Sequence, residues 1–168
     1  MGEVNYREFS AGNHTFRVPA SGYFFNNRDC WARVDGFLAK VGVSDFVQQN
    51  AGEVLSFHPP RIGLEYAIFD DICSFAATRT TIDIVSPVTG RLLAVNQELI
   101  EYPGLMNESP YERGWVVELE LADLSEDIEL LWDCKDYYDI AESRIERGPR
   151  ACPCTRRGAL YRRGDAKA

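Results

Sequence analysis

Arg79 lies where a β-hairpin would display it. Residues 74–77 and 81–85 are rich in β-forming side chains, and the polar segment 78–80 between them predicts a turn. A guanidinium at that tip could dock on the carboxylate or phosphate of a partner through its planar fork of N–H donors. Alternatively, the arginine could have no role and be present only because an exposed tip accepts any soluble residue. The residues alone leave both interpretations open.

A second candidate for chemistry is the thiol pair Cys152 and Cys154, separated by one proline. Two thiolates cannot complete a tetrahedral zinc site, so further ligands would have to come from Cys134, a histidine or another subunit. A redox pair is the other possibility, but the βαβ setting that supports such an assignment is missing. We expect a non-catalytic tail here, with metal or redox chemistry as the alternative. Cys30 and Cys73, like Cys134, are predicted to be small buried hydrophobic residues.

Charge is distributed unevenly along the 168 residues. Residues 148–168 hold six arginines and lysines against one acid, which leaves +5 there and −13 in residues 1–147 of a chain whose net charge is −8. An acidic body favours basic protein partners and makes nucleic acid an unlikely one. No window has the roughly 18 apolar residues of a membrane span, and the first residues do not resemble a signal peptide. The sequence therefore predicts a cytoplasmic protein without a membrane partner.

The elements that would position Arg79 are mainly β. Residues 1–22 are predicted to be an irregular N-terminal arm, 23–147 one β-rich domain, and 148–168 a flexible basic tail. Asp35-Gly36 predicts a hairpin, and Ser44 or Asp45 is expected to cap a short helix over 45–51 that Gly52 ends. Residues 96–114 are expected to be loop. Two helical segments, the first capped by Asp123 and the second starting near residue 133, close the domain.

Three sequence blocks in this domain, taken together, resemble a known family. They are KVGVSDF (40–46) with GEV (52–54), SPVTG (86–90) with VN (95–96), and PGLMNESPYERGW (103–115). In this order and spacing they are similar to the H protein of the glycine cleavage system, from residue 23 to about residue 141.

The resemblance implies a fold and a chemistry. The fold is that of a lipoyl domain, a flattened β-barrel or a sandwich of two sheets, in which a hairpin presents a lysine. In the family that lysine is joined by an amide to lipoate, and the lipoyl arm carries an aminomethyl group from glycine decarboxylase to the aminomethyltransferase. Such a carrier is not an enzyme itself.

The functional positions depart from this pattern. Counting back from the SPVTG block, the lipoyl lysine of the family corresponds to Arg79, and the Glu-Ser pair shortly before it corresponds to Ala76 and Ala77. Of the family's His-Glu-Trp, residues 29–31 keep only the tryptophan. Asp83, by contrast, matches an acid of the family. The chain therefore keeps the three sequence blocks of the family's framework but lacks most of its functional groups.

Arginine at this position cannot carry lipoate by an amide. Lysine, with a pKa near ~10.4, can lose a proton and attack an acyl-adenylate, whereas the arginine nitrogens stay protonated and delocalised. Lys40 and Lys135 lie in other predicted elements. We therefore predict no lipoate and no other cofactor, and a non-catalytic docking or regulatory module for enzymes that handle lipoyl carriers. The alternatives are a genuine aminomethyl carrier despite Arg79, and a thiol or metal protein that uses Cys152 and Cys154.

Overall fold

The computed structural model of the chain describes residues 4–11 and 14–146. The predicted irregular arm is wrong for most of its length, because β1 (Tyr6–Ala11) and β2 (His14–Pro19) pair as an antiparallel two-stranded sheet. In β1 the alternation of apolar and polar residues is weak: Phe9 is buried, and its neighbours in sequence, Glu8 and Ser10, are polar and exposed. The hairpin gains its order from the surface on which it packs rather than from its own pattern. The basic tail from 148 onward lies outside the described residues.

The rest of the described chain forms two further antiparallel sheets. Their strands, in chain order, are β3 (Phe24–Phe25), β4 (Cys30–Asp35), β5 (Leu38–Val43), β6 (Val54–His58), β7 (Glu65–Tyr66), β8 (Asp71–Ala77), β9 (Thr81–Val85), β10 (Gly90–Val95), β11 (Val117–Leu121) and β12 (Trp132–Asp133). The larger sheet has the order β12-β3-β4-β5-β11-β10-β7 and the smaller one β6-β8-β9. The mainly β prediction is confirmed, with open sheets rather than a closed barrel.

Short helices connect and flank the strands. They are α1 (Asp45–Ala51), α2 (Gln97–Glu101), α3 (Leu105–Glu108), α4 (Leu124–Asp127), a 3-10 turn (Ile128–Leu130) and α5 (Cys134–Glu146). The predicted caps of α1 and α4 are confirmed, since the Ser44 side chain accepts from the Val47 N–H and Asp123 from the Ser125 N–H. The segment 96–114 is not simply loop, because Asn96 caps α2 and α3 follows. Within the described residues, no helix is long and apolar enough to span a membrane.

Two apolar cores hold these layers together. The larger combines side chains of both sheets, including Phe75, Ile82 and Ile84 from the smaller sheet and Val41 and Leu119 from the larger one. The smaller is aromatic and joins the N-terminal hairpin, β3, β4, α1 and α5. Its members include Phe9, Phe16, Phe25, Trp31, Phe46, Tyr111 and Tyr137. Large rings that bury roughly 150–250 Å² each make such a cluster a strong apolar contribution.

Candidate functional site

The hairpin predicted around Arg79 is present. Strands β8 and β9 pair antiparallel, and the Ala77 N–H donates to the Thr80 carbonyl at 3.0 Å to close the tip. Alternation explains the strand, because Ile82 and Ile84 face the core while Thr81 is exposed. The tip, residues 78–80, therefore sits on a strand pair that the main core fixes from one side.

The tip is tied to the segment that follows α1. The Thr78 N–H donates to the Glu53 carbonyl at 3.0 Å, and the Thr78 hydroxyl accepts from the Glu53 N–H at 3.1 Å. Gly52, which directly precedes Glu53, has φ +90°, and a Cβ there would lie 2.1 Å from the Thr78 hydroxyl oxygen. Glycine is thus required both by the backbone conformation and by the close approach of the tip.

Arg79 closes the C-terminal end of α1. Its backbone N–H donates to the Ala51 carbonyl at 2.9 Å, and its Nη1 donates to the carbonyls of Gln49 and Asn50 at 3.2 and 3.4 Å. The last carbonyls of a helix lack partners within the helix, and they form the negative end of its dipole. A cationic fork from a distant strand satisfies them here. Neither sequence interpretation of Arg79 included this contact with its own chain.

Asn107, at the end of α3, completes the same cap. Its side-chain amide donates to the Gln48 Oε1 at 2.8 Å and to the Gly52 carbonyl at 3.0 Å, while its Oδ1 accepts from the Val54 N–H at 2.8 Å. The Gly52 N–H in turn donates to the Gln48 carbonyl at 3.1 Å. Gly52 and Asn107 lie in the sequence blocks that carry the family resemblance. The sequence predicted that Gly52 ends α1, but it gave Asn107 no role, and only the contact of Asn107 with α1 shows one.

The other positions of the family pattern do not gather at the tip as a polar site. Ala76 lies opposite Thr81 and Ser56 in the smaller sheet, and Ala77 lies opposite Val54. Their methyl groups offer no hydrogen-bond donor or acceptor. Asp83 follows Arg79 by four residues and lies on β9, on the strand face opposite to the one that buries Ile82 and Ile84.

Residues 29–31 have become structural. The Trp31 indole N–H donates to the carbonyls of Val43 and Pro110, at 2.9 and 3.1 Å. Asp29, with φ +64°, accepts from the Tyr137 hydroxyl at 2.7 Å and from Arg144 Nη1 at 2.9 and 3.0 Å. Burial raises the pKa of Asp29, and Arg144 and Tyr137 oppose that rise. This cluster fastens α5 to the turn before β4.

The thiols of the described chain are unsuited to nucleophilic chemistry. Burial raises the pKa of Cys30 to about 12, and it also raises the pKa of Cys73 and Cys134. Cys30 and Cys134 are buried, as predicted, and Cys73 is half-buried. In the part of the chain that the structure describes, no three His, Cys, Asp or Glu residues could together hold a metal. Cys152 and Cys154 lie outside the described residues.

Comparison with known proteins relates most of this chain to one family. A family model described as glycine cleavage H-protein matches residues 23–144. The chain is 38% identical over 112 residues to glycine cleavage system H protein 2, mitochondrial, of Arabidopsis thaliana, covering 67% of this chain and 71% of that protein. It is 34% identical over 125 residues to the glycine cleavage system H protein of Halothermothrix orenii, covering 74% and 96%.

A solved structure gives the same fold. The crystal structure of a glycine cleavage system H protein from Mycobacterium marinum superposes with a TM-score of 0.63 at 16% identity, covering 73% of this chain and 98% of that one. The N-terminal hairpin, residues 6–19, precedes the region that the family model matches.

Proposed function

The chain belongs to the glycine cleavage H-protein family, and we propose that it serves there as a non-lipoylated docking or regulatory module for enzymes that handle lipoyl carriers. The proposal rests on Arg79: the sequence resemblance assigns it to the family's lipoyl-lysine position, and its guanidinium is bonded to the end of α1. The position does not fit a lipoyl group, because it offers no amine to acylate.

The lysines of the described domain offer no substitute at the tip. Lys40 lies on β5, where its ammonium stands 4.9 Å from the centroid of the Trp115 ring. Lys135 lies in the first turn of α5. Both are outside the hairpin formed by β8 and β9, so neither reproduces the arrangement of a lysine on a tight turn. This supports a protein without a lipoyl arm at the hairpin tip.

What remains of the family in this chain is a recognition surface. The tip keeps a defined shape through four hydrogen bonds made by the main chain and side chain of Thr78 and by the main chain of Arg79 and Ala77. A preorganised surface binds at lower entropic cost than a mobile one. A protein that presents this surface without a lipoyl arm would occupy a partner enzyme without delivering a substrate, which is the basis for a regulatory role.

Intact mass after expression in a lipoate-replete host tests the missing modification. We expect the wild-type chain to show no lipoyl addition, while an H protein with its lysine, expressed in the same cells, is modified. A lipoyl group on any residue of this chain would overturn the proposal. The Arg79→Lys variant extends the test. If it is modified, the ligase still recognises the surface, and if it is not, Ala76, Ala77 or the wider surface prevents recognition.

Affinity capture from the native cell tests the docking role. The wild-type chain and an Arg61→Glu control, altered in an exposed loop, are expected to recover enzymes that handle lipoyl carriers. An Arg79→Glu variant has the same change of charge at the tip and should recover less of them. Consistent recovery of an unrelated redox complex by all three would contradict the proposal. The cytoplasmic location stays a prediction, and the name of the plant relative places that protein in mitochondria.

A further inference from the structure

The N-terminal hairpin is bonded to α1 through polar contacts along the free edge of β2. Gln49 Nε2 donates to the Thr15 carbonyl at 2.8 Å, and Asp45 Oδ2 accepts from the Arg17 N–H at 2.9 Å. The Tyr111 hydroxyl donates to the Arg17 carbonyl at 2.8 Å. An exposed strand edge normally offers unpaired N–H and C=O groups. Here the side chains of the family-matching domain satisfy that edge.

The hairpin is held on its other edge and its inner face as well. On β1 the Glu8 carbonyl accepts from the Tyr138 hydroxyl at 3.1 Å. On the inner face the Phe16 ring lies 5.6 Å from that of Phe46, the second residue of α1. A two-stranded hairpin is marginal by itself, so these contacts decide whether it is ordered. Its order is therefore linked to the order of α1.

α1 depends in the same way on both of its ends. It has seven residues, far fewer than the roughly 12–15 that an isolated helix needs in water. One end and one face are held by the hairpin through Asp45, Phe46 and Gln49, and the other end is held by Arg79. A helix this short gains its stability from those partners rather than from its own hydrogen bonds.

Gln49 belongs to both contacts. Its side-chain amide donates to the Thr15 carbonyl and to Asp45 Oδ2, at 2.8 and 2.9 Å, while its main-chain carbonyl accepts from Arg79 Nη1 at 3.2 Å. We propose that the N-terminal hairpin and the Arg79 tip form one cooperative unit through α1, so that binding or loosening at the hairpin changes the order of the tip. The hairpin would then be a control element for the surface around position 79.

Coupling between two sites is reciprocal, so a change at the hairpin should appear at the tip and a change at the tip should appear at the hairpin. The full chain can therefore be tested without any partner. Hydrogen exchange of the Arg79 amide, bonded to Ala51, reports on the tip, and that of the Arg17 amide, bonded to Asp45, reports on the hairpin. Gln49→Ala removes the side-chain contacts and keeps the main-chain carbonyl. We expect the Arg79 amide to exchange roughly two- to tenfold faster, the range for loss of one net hydrogen bond. Alanine favours helix more than glutamine does, so helix propensity works against this result.

The matched control is Gln97→Ala, on the exposed first residue of α2, where the side chain contacts the Val95 carbonyl two residues away. It should leave both reporter amides unchanged. Arg79→Gln supplies the reciprocal measurement and should accelerate exchange of the Arg17 amide. The proposal is overturned if Gln49→Ala accelerates Arg17 but leaves Arg79 at the rate of the control. It is also overturned if the Leu119 amide, in the middle of the larger sheet, accelerates equally, because the loss would then be global. None of these outcomes depends on lipoylation or on the partner.

Discussion

Two arginines hold helices in this protein in opposite ways. Arg144 of α5 is largely buried, with 13% of its side chain exposed, and it meets the carboxylate of Asp29, which is 1% exposed. Arg79 is exposed and meets the neutral carbonyls of Gln49 and Asn50. A buried charge that loses its counter-charge carries a desolvation cost that nothing offsets. An exposed cation at the end of a helix contributes only a modest interaction with the helix dipole. Arg79 and Asp29, the partner of Arg144, both stand where the chain departs from the family pattern, but only the buried contact should be indispensable for folding.

The largest effect should come from breaking the buried pair. Arg144→Met keeps much of the apolar stem and removes the charge that faces Asp29, while the hydrogen bond from the Tyr137 hydroxyl to Asp29 stays. We expect the free energy of unfolding, measured with urea, to fall by about 3–5 kcal/mol, the usual cost of leaving one partner of a buried pair unmatched. The double variant Asp29→Asn with Arg144→Met removes both charges and should recover part of the loss. Equal losses in the single and double variants would mean that shape rather than charge dominates at this site.

Alkaline pH should act on the same buried region. Burial raises the pKa of Cys30, beside Asp29, from 9.0 to about 12. Between these values the folded state holds the thiol proton and the unfolded state has lost it, so stability is fully present below pH 9 and falls as the pH rises toward 12. From pH 8 to pH 10 this thiol alone should lower the unfolding free energy by about 1 kcal/mol.

The Cys30→Ala variant is the control for this pH effect, since it lacks the thiol while Tyr23, whose pKa burial raises to about 12, still contributes. Urea unfolding of the two proteins at pH 8 and pH 10 should therefore show a steeper decline for the wild type. Parallel declines would remove Cys30 as the cause.

The smallest effect should come from the tip. Arg79→Gln removes the cation from the end of α1 but leaves the bond from the residue 79 main chain to Ala51. We expect a loss of at most about 1 kcal/mol in unfolding free energy, diminished further by salt, as for an exposed charge at a helix terminus. Arg79→Lys keeps the charge and should lose less. A loss as large as that of Arg144→Met would erase the distinction between the two arginines.

Local signals predicted the elements nearest the tip. Ser44 and Gly52 bound α1 as expected, because a side-chain cap and a glycine with positive φ act within one turn of the chain. The strands on either side of Arg79 also followed from their β-forming residues. The N-terminal hairpin was missed, since its order comes from Tyr138, Tyr111 and α1, which are distant in sequence. The same holds for Asn107, whose amide reaches α1 from α3.

Residue types at fixed spacings were enough to predict the family, the mainly β fold and the absence of an amine at position 79. The contacts of Arg79, by contrast, depend on the packing of distant segments. The carbonyls that it meets belong to residues 49 and 50, about thirty positions earlier, and they come within reach because Gly52 lets Thr78 approach the end of α1. Tertiary structure also turned Asp29 into the buried partner of Arg144, more than one hundred residues away. A residue's type limits its chemistry, but the partner it finds depends on how the sheets and helices pack.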